Sequence, residues 1–174
     1  MRRITLLNPH EDTITYNCYK NRFRLYGKAD FLIFYGVYLT LSPAACRTIA
    51  DFLNDTNTKP EDYDMILTGD LGSVGAALLC ELMVKQENID ISAVHNDCGL
   101  MIFDTVKQKD VGAGGSGCGC SGAVVCSNIL RRLESGELKR VFFVGTGALM
   151  SSVSSLQSES IPAVAHGVLL TGGD

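Results

Sequence analysis

From Ser42 onward the apolar positions change period along the chain. Ala44, Ala45, Ile49, Ala50 and Leu53 recur at helical spacing. Ser42 stands before them as an N-cap and Pro43 as a first helical residue, so the pattern predicts a helix ending near Asn54. A polar turn, 54–60, separates it from the short apolar run Tyr63–Gly69, read as a strand. A second helix follows from about Gly72 to Lys85, with Val74, Leu78, Leu82 and Met83 on its apolar side. A polar cluster, Ala93–Gly99, precedes another apolar piece, Leu100–Phe103. The glycine-rich run 112–122 leads into a helix carrying Ala123, Val124, Ile129, Leu130 and Leu133, closed by Gly136 and the Lys139–Arg140 pair. Val141–Gly147 reads as a buried strand, 151–160 as a serine-rich loop, and Ile161–Leu170 as a final strand. The order helix, strand, helix, glycine-rich loop, helix, strand, loop, strand predicts an α/β layered domain with a largely buried sheet. Met65–Thr68 and Val141–Gly145 are its expected central strands.

The first forty residues are harder to read. Arg22, Arg24 and Lys28 are interleaved with Tyr16, Tyr19, Phe23 and Tyr26, a pattern more typical of a short amphipathic strand or a frayed end than of a single-strand nucleic-acid platform. Phe31–Leu39 is rich in β-formers and reads as a strand. The segment 1–40 is set apart from 41–174 and expected to pack loosely.

Composition narrows the class. The 174 residues are 46% hydrophobic and 20% charged, which makes a core-forming chain of ordinary domain size. A net charge of -4 argues against a general electrostatic grip on nucleic acid. No stretch reaches the roughly 18–20 apolar residues that a membrane helix needs, and polar residues follow Met1–Arg3 too soon for a secretory leader. A cytosolic chain is expected, at a membrane only through partners. The 7 cysteines are odd in number, in a chain too long and apolar for a disulfide-stapled miniprotein. Cys46 and Cys80 fall in helical apolar patterns and read as small buried thiols. Cys118–Gly119–Cys120 lacks the paired spacing of a zinc site, so no metal or other cofactor is expected.

Three segments carry candidate chemistry. In the glycine-rich run the backbone is free to approach a ligand or another element, and the following helix N-terminus favours anions. Gly117, Gly119 and Gly122 spell a G-x-G-x-x-G, a weak match in so glycine-rich a run, and no P-loop lysine is present. His95–Cys98 sets a base, an amide, a carboxylate and a thiol side by side; strand alternation puts His95 and Asp97 on one face and Asn96 and Cys98 on the other, an awkward geometry for an adjacent Cys–His dyad. His166, between Ala165 and Gly167, reads as a satisfied core histidine.

Five blocks taken together resemble one family: 62–75, His95–Ile102, Gly112–Ala123, Leu138–Ser151 and Glu159–His166. They resemble the C-terminal half of the stage V sporulation protein AD (SpoVAD) family, thiolase-like proteins of spore-forming Firmicutes, over Leu41–Leu170. The resemblance implies one half of a thiolase fold, a mixed five-stranded sheet flanked by helices, in a chain lacking the N-terminal half. It further implies binding of dipicolinic acid and a part in its uptake into the developing spore, in the setting of sporulation and spore germination. The implied partners are the small SpoVA membrane proteins, and the implied place is the cytoplasmic face of the spore inner membrane. A second copy or the missing N-terminal half is the expected cover for a bare apolar face.

Set against true thiolases and ketoacyl synthases, the resemblance implies loss of catalysis. Gly69–Asp70 stands where those enzymes place an Asn-Glu dipeptide or a histidine, and Ser116 at the histidine of their Gly-His-Pro turn. Phe142–Val144, with Phe143 at its centre, precedes Gly145–Thr146–Gly147 where a second cysteine is usual. No proton carrier or nucleophile is supplied at these places. The expected ligand-binding residues are Gly69, Asp70, His95, Ser116, Cys118, Gly145, Ser151 and His166, with no catalytic residue. The rival reading is an acyltransferase or thioesterase using Cys98, Cys118 or Cys120 with His95 or His166.

Overall fold

The computed structural model describes residues 4–6, 29–115, 117, 119–148 and 163–172, with backbone alone for 4–6 and 29–40. A mixed sheet of order β1-β5-β4-β2-β3 forms its centre. Strands β2 (Met65–Thr68), β3 (His95–Asp97) and β4 (Arg140–Ala148) are parallel to one another. Strand β5 (Ala163–Thr171) pairs antiparallel to β4, and β1 (Ile4–Leu6) antiparallel to β5 at the edge. The expected α/β class and mixed sheet are present, and Met65–Thr68 lies directly beside Val141–Val144 as expected. One correction concerns the strand count. Among the described residues, 41–174 contribute four strands to the sheet, not five, and the fifth position is filled by Ile4–Leu6 from outside that segment.

The alternation of side chains explains why both faces of the sheet are covered. Ile66, Phe142 and Val144 point to one side, where they meet Ala45, Ile49, Phe52 and Leu53 of helix α1 (Ala29–Thr56) and Leu79 of helix α2 (Gly72–Leu82). Met65, Leu67 and Val141 point to the other, where they meet Cys98 of helix α3 (Cys98–Ile102) and, on the helical stretch from Gly119 to Glu134, Cys120, Val124, Ile129 and Leu133. That stretch comprises α4 (Gly119–Val124), a π-type turn (Val125–Ile129) and α5 (Leu130–Glu134). Strand β2 is buried along its whole length, as a parallel strand with helices on both faces must be. Phe142 stacks on Phe52 at 3.7 Å between ring centroids, in space left free by Gly167; a Cβ there would lie 2.4 Å from the Phe142 ring.

Two sequence readings change. Phe31–Leu39 is helical, not a strand, because α1 begins at Ala29 and runs through Pro43. Ser42 is therefore inside a helix, and its buried hydroxyl donates to the Gly75 carbonyl of α2 at 2.9 Å instead of capping its own helix. The polar cluster at 93–99 contains the short strand β3 and the start of α3, neither of which the apolar pattern separated. Of the first forty residues, 4–6 join the sheet and 29–40 extend α1; the others lie outside the described residues. Among the described residues no helix is long and apolar enough to cross a membrane.

Candidate functional site

The carboxyl ends of β2, β3 and β4 lie together at one end of the sheet, which is where open α/β sheets bind ligands. The loop leaving β2 is held there by Asp97, the last residue of β3, which is fully buried. Its carboxylate accepts hydrogen bonds from Thr68 Oγ1 at 2.7 Å, Leu71 N at 2.8 Å, Gly72 N at 2.9 Å and Gly99 N at 3.0 Å. One side chain thus satisfies the N-terminal donors of α2 and caps α3 as well.

The glycine-rich loop closes over the same place by backbone contact. Ser73 N donates to Ala113 O at 2.7 Å, and Gly117 N donates to Asp70 Oδ2. Gly72 has φ +62°, and a Cβ on it would lie 2.5 Å from Ala113 O; a Cβ on Gly99 would lie 2.3 Å from Gly114 O. Close approach is the requirement these two glycines meet. The anion-holding potential of the α2 N-terminus is spent within the protein, on Asp97 and Ala113.

Three of the expected ligand residues form a row across the sheet. Gly69 N donates to Val144 O at 2.9 Å, which sets Gly69 beside Gly145, and Gly145 pairs with His166 in the β4–β5 ladder. His166 is exposed, with Ala165 and Gly167 buried on either side of it. This corrects its reading as a core histidine: the period of two turns it away from the face covered by α1. Asp70 sits at the rim, holding Gly117. Ser116, Cys118 and Ser151 lie outside the described residues. One participant had no sequence signal of its own. The Thr146 hydroxyl is buried without a hydrogen-bond partner among the described residues, and its Oγ1 lies 3.4 Å from where a Gly69 Cβ would stand.

His95 lies on the sheet edge, apart from that row. Its Nε2 is 3.1 Å from Thr68 Oγ1 and its Nδ1 is 3.7 Å from Cys80 Sγ. The ring therefore faces Cys80 and neither Cys98 nor Cys120. Cys98 is fully buried, and burial, followed by the nearby charge of Asp97, pushes its thiol up to about 12. Neither property suits the nucleophile of an acyl transfer. Among the described residues no three His, Cys, Asp or Glu side chains gather as metal ligands.

Burial holds the His95 imidazole below its usual range, against a smaller upward pull from Asp97. The unfolded ring, near 6.5, takes up its proton first as the pH falls. Stability from His95 is thus fully present above that value and is lost as pH drops from there to the lower folded value. Urea midpoints at about pH 7.5 and about pH 5.5 will show a smaller acid shift in His95→Asn than in the unaltered chain. Equal shifts would show that His95 does not titrate differently on folding.

The arrangement is that of an α/β domain with a candidate site at the strand ends. Residues 35–171 match the family model of stage V sporulation protein AD. The chain is also 45% identical over 129 residues to stage V sporulation protein AD of Bacillus subtilis (strain 168), a match covering 74% of this chain and 37% of that protein. The chain belongs to the stage V sporulation protein AD family. It spans well under half the length of the curated relative it matches.

Proposed function

We propose that this chain is a non-catalytic ligand-binding protein built on one half of a thiolase-like fold, and that its ligand is dipicolinic acid bound for the developing spore. The observation that carries the reading is Thr146 Oγ1, a buried hydroxyl with no partner among the described residues, beside Gly69 at the strand ends. An unsatisfied buried polar group is costly unless a ligand completes it. Dipicolinate is a flat dianion whose two carboxylates need N–H or O–H donors and whose ring needs an apolar wall. Thr146 supplies one donor beside Gly69 and Gly145, while alternation turns the His166 side chain to the opposite face of the sheet. Ser116, Cys118 and Ser151 fall in the same family blocks and are proposed to add further contacts to the ligand. Asp70, itself a carboxylate, serves by holding Gly117 and not by touching a dianion. His95 is engaged on both ring nitrogens and contributes through the Thr68–Asp97 network.

Absence of catalysis follows from the same positions. Gly69 and Phe143 carry no proton-transferring group, and Ser116 stands at the enzymes' histidine position. The relative is longer than this chain, so an N-terminal half or a second copy is proposed to complete the pocket. SpoVA membrane proteins are the proposed partners, and the inner membrane of the spore the proposed place of work.

Calorimetric titration of dipicolinate into this chain and into a full-length relative tests the reading. Weak binding is expected here and tighter binding in the relative, since a half-pocket must order its loops on binding. Thr146→Val will weaken the remaining affinity by about tenfold, the worth of one hydrogen bond to a charged acceptor. Undiminished binding by Thr146→Val, or no binding by either protein, would overturn the assignment.

A further inference from the structure

The hydrogen bonds around His95 fix which of its nitrogens carries the proton. Thr68 Oγ1 has one hydrogen to give. At 2.7 Å the Asp97 carboxylate is its closest acceptor, against 3.3 Å for Asn96 O. The Thr68 oxygen therefore accepts from His95 Nε2–H, 3.1 Å away. In the neutral ring this leaves Nδ1 as a bare acceptor. Cys80 Sγ stands 3.7 Å from it, so the thiol hydrogen points at a base whose far side is backed, through Thr68, by a carboxylate. Cys80 and His95 are both only partly buried, whereas Cys46, Cys98 and Cys120 are buried.

We propose that Cys80 and His95 form a nucleophile–base pair that makes Cys80 a site of mixed-disulfide formation with low-molecular-weight disulfides. Sγ attacks one sulfur of R–S–S–R while its proton passes to Nδ1. The S–S bond breaks, the departing thiolate takes the proton from Nδ1, and the products are Cys80–S–S–R and R–SH. The disulfide is the oxidant, and no other reactant is needed. Thr68 and Asp97 are positioning residues: they hold the tautomer and offset the charge of the imidazolium as it forms.

A disulfide fits better than a thioester for a local reason. Cys80 lies within α2, where backbone N–H groups are committed to the helix, so no pair of donors faces an oxyanion there. Thiol–disulfide exchange passes through no oxyanion. The ionisable groups that act on the pair are Asp97 on β3, which pulls on the His95 ring, and Asp90, whose charge reaches the Cys80 thiol. Burial, then Asp90, raises the Cys80 thiol. Reaction near neutral pH therefore depends on the base and not on free thiolate.

Incubation of the full chain with bis(2-hydroxyethyl) disulfide, read cysteine by cysteine by peptide mass spectrometry, tests this. Cys80 should form adduct at least about tenfold faster than Cys46 and Cys98 near neutral pH. Its rate should rise as the imidazole loses its proton and level off before the alkaline range. His95→Gln should slow Cys80 roughly a hundredfold, the scale of a lost general base, and leave the exposed Cys126 unchanged. Thr68→Val should displace the pH profile. The profile of the unaltered chain decides the matter even where a variant folds poorly. A Cys80 rate that climbs only in the alkaline range, that matches Cys46, or that survives His95→Gln on a folded chain would overturn the proposal. So would adduct at Cys126 with none at Cys80.

Discussion

Asp97→Ala will destabilise the chain by about 4 kcal/mol, counting four buried donors left without their acceptor at roughly 1–3 kcal/mol each and allowing for partial rescue by entering water. The donors are Thr68 Oγ1 and the amides of Leu71, Gly72 and Gly99. Three belong to backbone that cannot turn away, because Leu71 and Gly72 are the cap and first residue of α2 and Gly99 lies in the first turn of α3. Asp97→Asn keeps the volume and one oxygen but presents an NH2 group to donors, so it will recover only part of the loss. Urea denaturation of both variants checks the estimate. A change under about 1 kcal/mol in Asp97→Ala would mean that the loop after β2 is held by its packing and not by this carboxylate.

Asp97 also shows how far the sequence could be read. The alternation at 95–98 correctly groups His95 with Asp97, and both meet Thr68. What alternation cannot supply is the neighbour. Thr68 is the last residue of an apolar run, with nothing to distinguish it until β2 and β3 are set side by side. Cys80 looks like any small core residue of an amphipathic helix, and its partner lies 15 residues on. Gly69, Gly145 and His166 were each drawn from a separate family block, and only the sheet shows that they lie side by side; the Thr146 hydroxyl, without a partner among the described residues, carries no sequence signal at all.

The misreading of Phe31–Leu39 has a different origin. A short run of aromatic and β-branched residues satisfies a buried strand and a buried helix equally well, and periodicity alone does not separate them. Pro43 then looked like a helix start. Instead α1 continues through it, and the Ser42 hydroxyl expected at a cap is used to tie α1 to α2. At Ser42 a tertiary contact overrode the local capping signal. The central strands Met65–Thr68 and Val141–Val144 were legible because their side chains are apolar on both faces, a pattern that few other environments tolerate.

Gly99→Ala and Gly72→Ala will each cost about 2–4 kcal/mol, although both add only a methyl group. At Gly99 the new Cβ would lie 2.3 Å from Gly114 O and 3.0 Å from Asp97 Oδ1, and the first of these is backbone that cannot rotate aside. At Gly72 it would lie 2.5 Å from Ala113 O, and the φ of +62° adds strain of its own. Relief requires the glycine-rich loop to lift. That in turn pulls Gly117 from Asp70 and opens the candidate site at the strand ends, so under the proposed function dipicolinate affinity should fall along with stability. Gly122→Ala is the matched control. It sits in α4 with nothing within 4 Å of its would-be Cβ, and alanine there should be neutral or stabilising by up to about 1 kcal/mol through helix propensity. Thermal unfolding of the three variants separates the cases. Should Gly99→Ala and Gly72→Ala prove as stable as Gly122→Ala, the loop is not seated on the two helix starts, and the site built on that contact does not exist in solution.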